Sequence, residues 1–367
     1  MDEKDYCVDG ECKESLPNKV KTAKYTAPQH FDIVEIPMLE LDDGETLIKV
    51  EYCSICGSDL HSYVDGKNTN VLGHEFVGVI KELGPNPPLG VKVGQRIVVN
   101  TLTPCGHCAA CEKGYLNLCE NRRRPNPGAY SQYIKTVHAG GKKMIYAVPD
   151  EVDSLQACMV EPLAVAVHAV NKAKVRMALD DTVVVFGAGA IGLLVTQVLR
   201  TIGALRIIQV DISDIRLRVA KQCGADFVIN ALSVEDIVKS IEDITGPGRN
   251  NFNQPGTVDV VFECAGTPVT VRQALDVIRG GGAVYQIALP QKDPTVHLQR
   301  LVYKEVTWQG IYCFIYEYPT ALELLRSGKV NLHPIISHVF PLEKINEAFK
   351  QQMDVQNSVK VIVQCNE

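Results

Sequence analysis

Cys105, Cys108, Cys111 and Cys119 lie close together in the run PCGHCAACEKGYLNLC. The C-x2-C-x2-C-x7-C spacing lets four thiolates wrap tetrahedrally around one ion, and a closed all-thiolate shell leaves no position for a substrate. The expectation is a structural zinc site that fixes a surface loop. Small zinc sites bind with about 10 to 16 kcal/mol of apparent free energy, enough to stand in for a missing hydrophobic core. An iron–sulfur cluster also takes four thiolates, but a single segment without a C-P ending favours zinc. Disulfides fit less well: thirteen cysteines cannot all pair, and adjacent C-x2-C steps suit metal in a reducing compartment.

Upstream lies a second set of donors, Cys53-Ser54-Ile55-Cys56-Gly57-Ser58-Asp59-Leu60-His61, followed by Gly73-His74-Glu75 and, much later, Glu161-Pro162-Leu163. Thiolate, imidazole and carboxylate are the ligands that a catalytic zinc takes when it keeps one position open. Each element alone says little, since a lone cysteine is usually a small buried hydrophobe. Beside the four-cysteine run they gain weight.

A third group of residues suits a dinucleotide. Thr182-Val-Val-Val-Phe186 reads as a buried strand, Gly187-Ala188-Gly189-Ala190-Ile191-Gly192 as a turn, and the apolar run that follows as a helix. In that context Gly187 makes the tight turn, Gly189 lets the backbone approach a pyrophosphate, and Gly192 permits close helix packing. The phosphates would sit at the helix N-terminus. A second strand, residues 205–210, ends at Asp211, whose carboxylate can accept from a ribose 2′-hydroxyl and repel a 2′-phosphate, so NAD is expected over NADP.

The elements that must carry these groups follow from the pattern. Strands are expected at 227–229, 258–262 and 283–287, separated by helix-like stretches. That alternation implies a doubly wound parallel sheet of Rossmann type, in an α/β protein. At 367 residues the chain exceeds one core, so two domains are expected. The first eighteen positions carry Asp2, Glu3, Asp5, Asp9, Glu11 and Glu14 and read as a short acidic extension, and no apolar run reaches the roughly 18 residues of a spanning helix. A soluble, cytoplasmic protein is therefore expected, with no membrane partner. The net charge of -6 offers no basic surface for phosphate backbones; Arg122-Arg123-Arg124 is an isolated cluster before Pro125, so nucleic acid is not expected as a partner.

From residue 19 to 363 the chain resembles the zinc-containing medium-chain dehydrogenase/reductase (alcohol dehydrogenase) family, which shows C-G-S-D-x-H, G-H-E, a four-cysteine lobe and a glycine fingerprint in the same order. Within it the Glu161-Pro162-Leu163 motif is most similar to the sorbitol, or polyol, branch. The resemblance implies a GroES-like β-barrel catalytic domain over 19–165, a Rossmann NAD-binding domain over 166–305, and a return to the catalytic domain over 306–367. It implies two zinc ions per chain and NAD, with Cys56 and His74 as catalytic-zinc ligands and either Glu75 or Glu161 as the third. Asp59 takes the position that orients the zinc-bound histidine, and Arg216 the position that packs on the adenine. Ser58 and His61 take the relay positions that carry a proton to solvent. His107, His138, His168, His297, His333 and His338 read as structural or exposed. A homo-oligomer, dimer or tetramer, is also implied.

The expected reaction is oxidation of a secondary alcohol to a ketone, with hydride passing to NAD. Zinc can lower the pKa of bound water from 15.7 to about 7, worth about 12 kcal/mol, and an alcohol should benefit comparably. The chain departs from sorbitol dehydrogenases where an Arg-Tyr pair contacts the polyol, since Cys313 and Phe314 stand there. A smaller diol or an amphipathic alcohol becomes plausible. The alternatives are L-threonine or 2,3-butanediol as substrate, or a non-catalytic relative that only binds NAD and zinc.

Overall fold

The structure, a computed structural model, describes residues 6–8, 11–13, 16–67, 69, 72–122, 127–137, 144–174, 177, 178, 180–290 and 292–366. His138, Arg123, Arg124 and the charged side chains of the acidic extension through Glu14 lie outside the described residues. Strands Tyr6–Val8 and Glu11–Lys13 pair as a short antiparallel hairpin. Among the described residues no helix is long and apolar enough to cross a membrane.

Two sheets organise the chain. The first has seven strands, built mainly antiparallel around the long strand Glu45–Ser54, which pairs with Glu75–Leu83, Tyr133–Val137 and Lys360–Gln364. Strand Lys360–Gln364 and its parallel neighbour Ile336–Pro341 come from the end of the sequence, so this sheet is assembled across the whole chain. The hairpin Lys19–Ala27 with His30–Pro37 flanks it. Its core holds Phe31, Tyr63 and Phe349, whose rings meet at centroid distances of 4.6 to 5.2 Å.

The second sheet is six-stranded and wholly parallel, in the order Phe227–Asn230, Arg206–Asp211, Thr182–Phe186, Val258–Glu263, Ile278–Gln286, Thr307–Gly310. Strand Thr182–Phe186 is buried at every position because helices cover both faces, which is why it reads as an unbroken apolar run. The order reverses between Thr182–Phe186 and Val258–Glu263, the place in such sheets where ligands bind beyond the strand ends. One boundary moves. The chain was expected to leave this domain at residue 306, yet Thr307–Gly310 pairs with 283–286 as the sixth strand. Thr-Trp-Gln-Gly is a half-exposed edge with no apolar run, so its pattern carries no strand signal.

Candidate active site

Strand Glu45–Ser54 ends at Ser54, and Cys56 then caps the helix Gly57–Asp65 with extended backbone, φ -82° and ψ 150°. Its neighbour strand begins at Glu75, directly paired with Ser54. That pairing brings the end of one strand and the His74-Glu75 start of the other to one rim of the sheet. One donor atom each from Cys56, His74 and Glu75 lies within 4.8 Å of the others. A thiolate, an imidazole and a carboxylate converging this closely fit a zinc ion with one position left open.

Other groups hold this set in place. His74 Nδ1 is 3.4 Å from Asp59 Oδ1, and the Tyr130 hydroxyl donates to Asp59 Oδ2 at 2.7 Å. Burial opposes charge on His74, but Asp59 and Cys56 hold its pKa well above the ordinary histidine range. Asp59 thus fixes the imidazole, which leaves the other ring nitrogen for a metal. Glu75 Oε2 accepts from Ser54 Oγ and lies 2.5 Å from Lys360 Nζ, which also donates to the Ile55 carbonyl at 2.8 Å. Glu161, in the first turn of the helix Val160–Ala173, is buried in the same cavity but outside the close donor group. Burial pushes its carboxyl up to about 7; Glu75 adds to the rise and His74 opposes it.

Cys56, His74, Glu75, Glu161 and Lys360 line a cavity of about 420 Å³ that also reaches Gly189, Ile191 and Arg216. Ser58 sits at its wall, with its hydroxyl 3.3 Å from the Cys56 sulfur. An adjoining cavity of about 510 Å³ shares Cys56, Ser58, Ile191 and Cys264, and adds His61 and residues 265–268. His61 is exposed there, and no hydrogen bond joins it to Ser58 among the described residues. His168 lies away from this site, buried against Glu317 at 2.7 Å.

The glycine turn is built for a ligand. Gly187 has φ +90°, and a Cβ there would meet the Cys264 carbonyl at 3.0 Å; a Cβ on Gly192 would lie 1.9 Å from the Gly187 oxygen. Gly189 instead faces open space, with only Arg216 Nη1 at 4.0 Å. Asp211 accepts backbone N–H bonds from Ala188, Ile212 and Ser213 at 2.5 to 2.9 Å. Arg216 donates through Nε to the Ser358 carbonyl at 2.8 Å, which holds its guanidinium over the turn. An open backbone at the start of the helix Ala190–Thr201 fits a dinucleotide pyrophosphate.

The four-cysteine lobe lies against the segment 312–315 that borders the site. Sulfurs of Cys105, Cys108, Cys111 and Cys119 lie within 4.8 Å of one another, and Cys108 and Cys119 are 4.0 Å apart, near the roughly 3.8 Å edge of a tetrahedral Zn–S4 shell. Backbone N–H groups of Cys111 and Glu120 pull the Cys108 thiol down to about 6. The lobe grips the pocket wall: Asn117 donates to the Tyr312 carbonyl at 2.7 Å, and Ile315 packs on the cysteine cluster. Of the pair at 313 and 314, only Cys313 lines the cavity; Phe314 is 1% exposed and packs on Tyr318 in the core.

Three residues of this site went unmarked in the sequence reading. Lys360 stands in a strand otherwise apolar, Ser-Val-Lys-Val-Ile-Val, and a lysine at an inward position was the available signal. In sequence Arg122 belongs to an isolated basic cluster, but in the fold it lines the cavity. Tyr130 gave no signal, because only folding sets it against Asp59.

Residues 42–150 match the alcohol dehydrogenase GroES-like domain and residues 190–327 the zinc-binding dehydrogenase domain. The chain is 31% identical to sorbitol dehydrogenase of Bacillus subtilis, over 96% of this chain and 99% of that one. It is 33% identical to D-arabitol-phosphate dehydrogenase of Enterococcus avium, over 91% and 93% respectively. Among solved structures it is similar to 2R,3R-butanediol dehydrogenase from Bacillus subtilis, with a TM-score of 0.81 and 30% identity over 95% of this chain and all of that one.

Proposed function

Since the chain belongs to the zinc-binding alcohol dehydrogenase family of medium-chain dehydrogenases, in its polyol branch, we propose that it oxidises a secondary alcohol of a polyol or diol to a ketone with NAD. The observation that carries this reading is convergence: the Cys56, His74 and Glu75 donors and the open turn at Gly189 line one cavity. When bound, zinc supplies the Lewis acidity that makes a hydroxyl acidic at neutral pH, and the nicotinamide supplies the hydride acceptor.

Cys56, His74 and Glu75 would hold the metal in this reading, and Glu161, in the same cavity, would be the alternative third carboxylate. Ser58 takes the hydroxyl proton, and His61, exposed at the adjoining cavity, passes it to solvent. Gly187, Gly189, Ile191 and Gly192 form the dinucleotide seat, Arg216 covers it, and Asp211 favours NAD over NADP. Cys105, Cys108, Cys111 and Cys119 hold the structural zinc. Because all four thiols must stay reduced, a reducing compartment such as the cytoplasm fits. A homodimer or homotetramer completes the proposal.

The similar proteins are named for a neutral polyol, a polyol phosphate and a diol, so their names leave the substrate open. The test is absorbance of reduced cofactor on zinc-loaded protein, with NAD or NADP, against polyols, short diols and threonine. Activity with NAD that vanishes in Cys56→Ser is the expected result. Turnover that survives this substitution overturns the mechanism.

A further inference from the structure

Arg122 follows the cysteine lobe by three residues and lines the same cavity as Cys56, His74 and Glu161. Its guanidinium lies over the Tyr312 ring, 5.5 Å from the centroid, and its Nη1 is buried with no hydrogen-bond partner. The other cations of this cavity are occupied: Lys360 by Glu75 and the Ile55 carbonyl, Arg216 by the Ser358 carbonyl. Among the described residues no carboxylate lies within ion-pair distance of Arg122. Cys313, whose thiol burial and Glu161 push up to about 12, is drawn the other way by both Arg122 and His74, so the guanidinium and the metal site share one electrostatic neighbourhood.

Resting on the dehydrogenase reading, we propose that Arg122 binds a terminal oxyanion of the substrate, so that the alcohol oxidised here carries a carboxylate or a phosphate. Arg122 lines the same cavity as the glycine turn, and what distinguishes this anion from the cofactor's is the cation each one meets. The adjoining cavity beside Gly266 and Thr267 contains neither Arg122 nor Tyr312, and the glycine turn has Arg216 as its own cation. A planar fork of N–H donors held over an aromatic ring is preorganised for bidentate contact with carboxylate or phosphate. With no Arg-Tyr pair at 313 and 314, the pocket's free cation among the described residues instead comes from the loop after the cysteine lobe, from which it meets a charged end and not a row of hydroxyls. The lobe is part of this device, since Asn117 donates to the backbone carbonyl of Tyr312, whose ring lies under the guanidinium.

The experiment compares sorbitol, gluconate and sorbitol 1-phosphate, matched in chain and differing only at C1. Their binding to zinc-loaded protein is measured by calorimetry beside turnover with NAD, for the natural chain, Arg122→Gln and Arg122→Lys, with melting temperatures as the folding control. At least one anion should bind tenfold to a hundredfold more tightly than sorbitol, less so in high salt. Arg122→Gln should erase that preference, with the loss in KM, and Arg122→Lys should restore part of it. Which anion gains identifies carboxylate or phosphate as the source. Equal binding of all three ligands, or an equal loss for all three in Arg122→Gln, overturns the proposal. Arginine-dependent binding without turnover of any ligand would sink the dehydrogenase reading and leave the anion site standing.

Discussion

Lys360 Nζ lies 2.5 Å from Glu75 Oε2, and the two side chains are 4% and 2% exposed. Each comes from a different end of the sequence, and they meet because strand Lys360–Gln364 pairs beside Ser54, the register partner of Glu75. Burial disfavours the ammonium, yet Glu75 and Cys56 raise its pKa above the ordinary lysine range. The pair therefore compensates a buried carboxylate that would otherwise stand without a counter-charge.

Removing one partner of such a pair costs about 3 to 5 kcal/mol, because the other charge stays buried. Lys360→Met should destabilise metal-free protein by that order, as measured by urea unfolding. Zinc should narrow the gap, because Glu75 then faces a cation. A gap that zinc leaves unchanged would point to Glu161 as the third ligand in place of Glu75.

Cys108→Ser should lower bound zinc from two ions per chain to one, read by elemental analysis. Loosening of the lobe should also raise the KM for the substrate, because Asn117 and Ile315 couple it to the pocket wall. NAD affinity should change little, since the glycine turn makes no contact with the lobe.

Gly192→Ala would drive a Cβ against the fixed Gly187 carbonyl, so the turn must open. The expected result is a rise of more than tenfold in the NAD dissociation constant, at least about 1.4 kcal/mol, by equilibrium dialysis. Unaltered NAD binding would remove this turn from the cofactor site.

Glu317 gives a pH signature. Burial pushes its carboxyl up, but the His168 ring and the Ile315 and Tyr316 N–H groups bring the pKa below its ordinary 4.5. A carboxylate depressed in the folded state adds stability above its unfolded pKa, and loses it as pH falls through the folded value. Glu317→Gln should therefore cost about 2 kcal/mol at pH 7. The difference from the natural chain should shrink once pH falls below about 4. A difference constant down to pH 3 would show that the charge has no role.

Much of this protein is local in sequence and was legible there. The glycine turn, the strand before it and the acid after it are set within one βαβ unit, where hydrophobic run, turn residue and helix follow directly from residue type. The four-cysteine lobe is equally local, since short spacings bring the sulfurs together without help from the rest of the chain.

What tertiary structure alone decided lies between distant segments. The donors Cys56, His74 and Glu75 meet because two strand ends share a register, and Lys360 joins them because the chain returns to the first sheet. The edge strand Thr307–Gly310 escaped notice because an exposed edge has no apolar pattern. Arg122 changed most: beside two further arginines it reads as an isolated basic cluster, yet the fold sets it over Tyr312 in the cavity. Residue type determines which groups can bind metal, phosphate or anion; only long-range packing decides which of them are brought to one cavity and which are already neutralised by a neighbour.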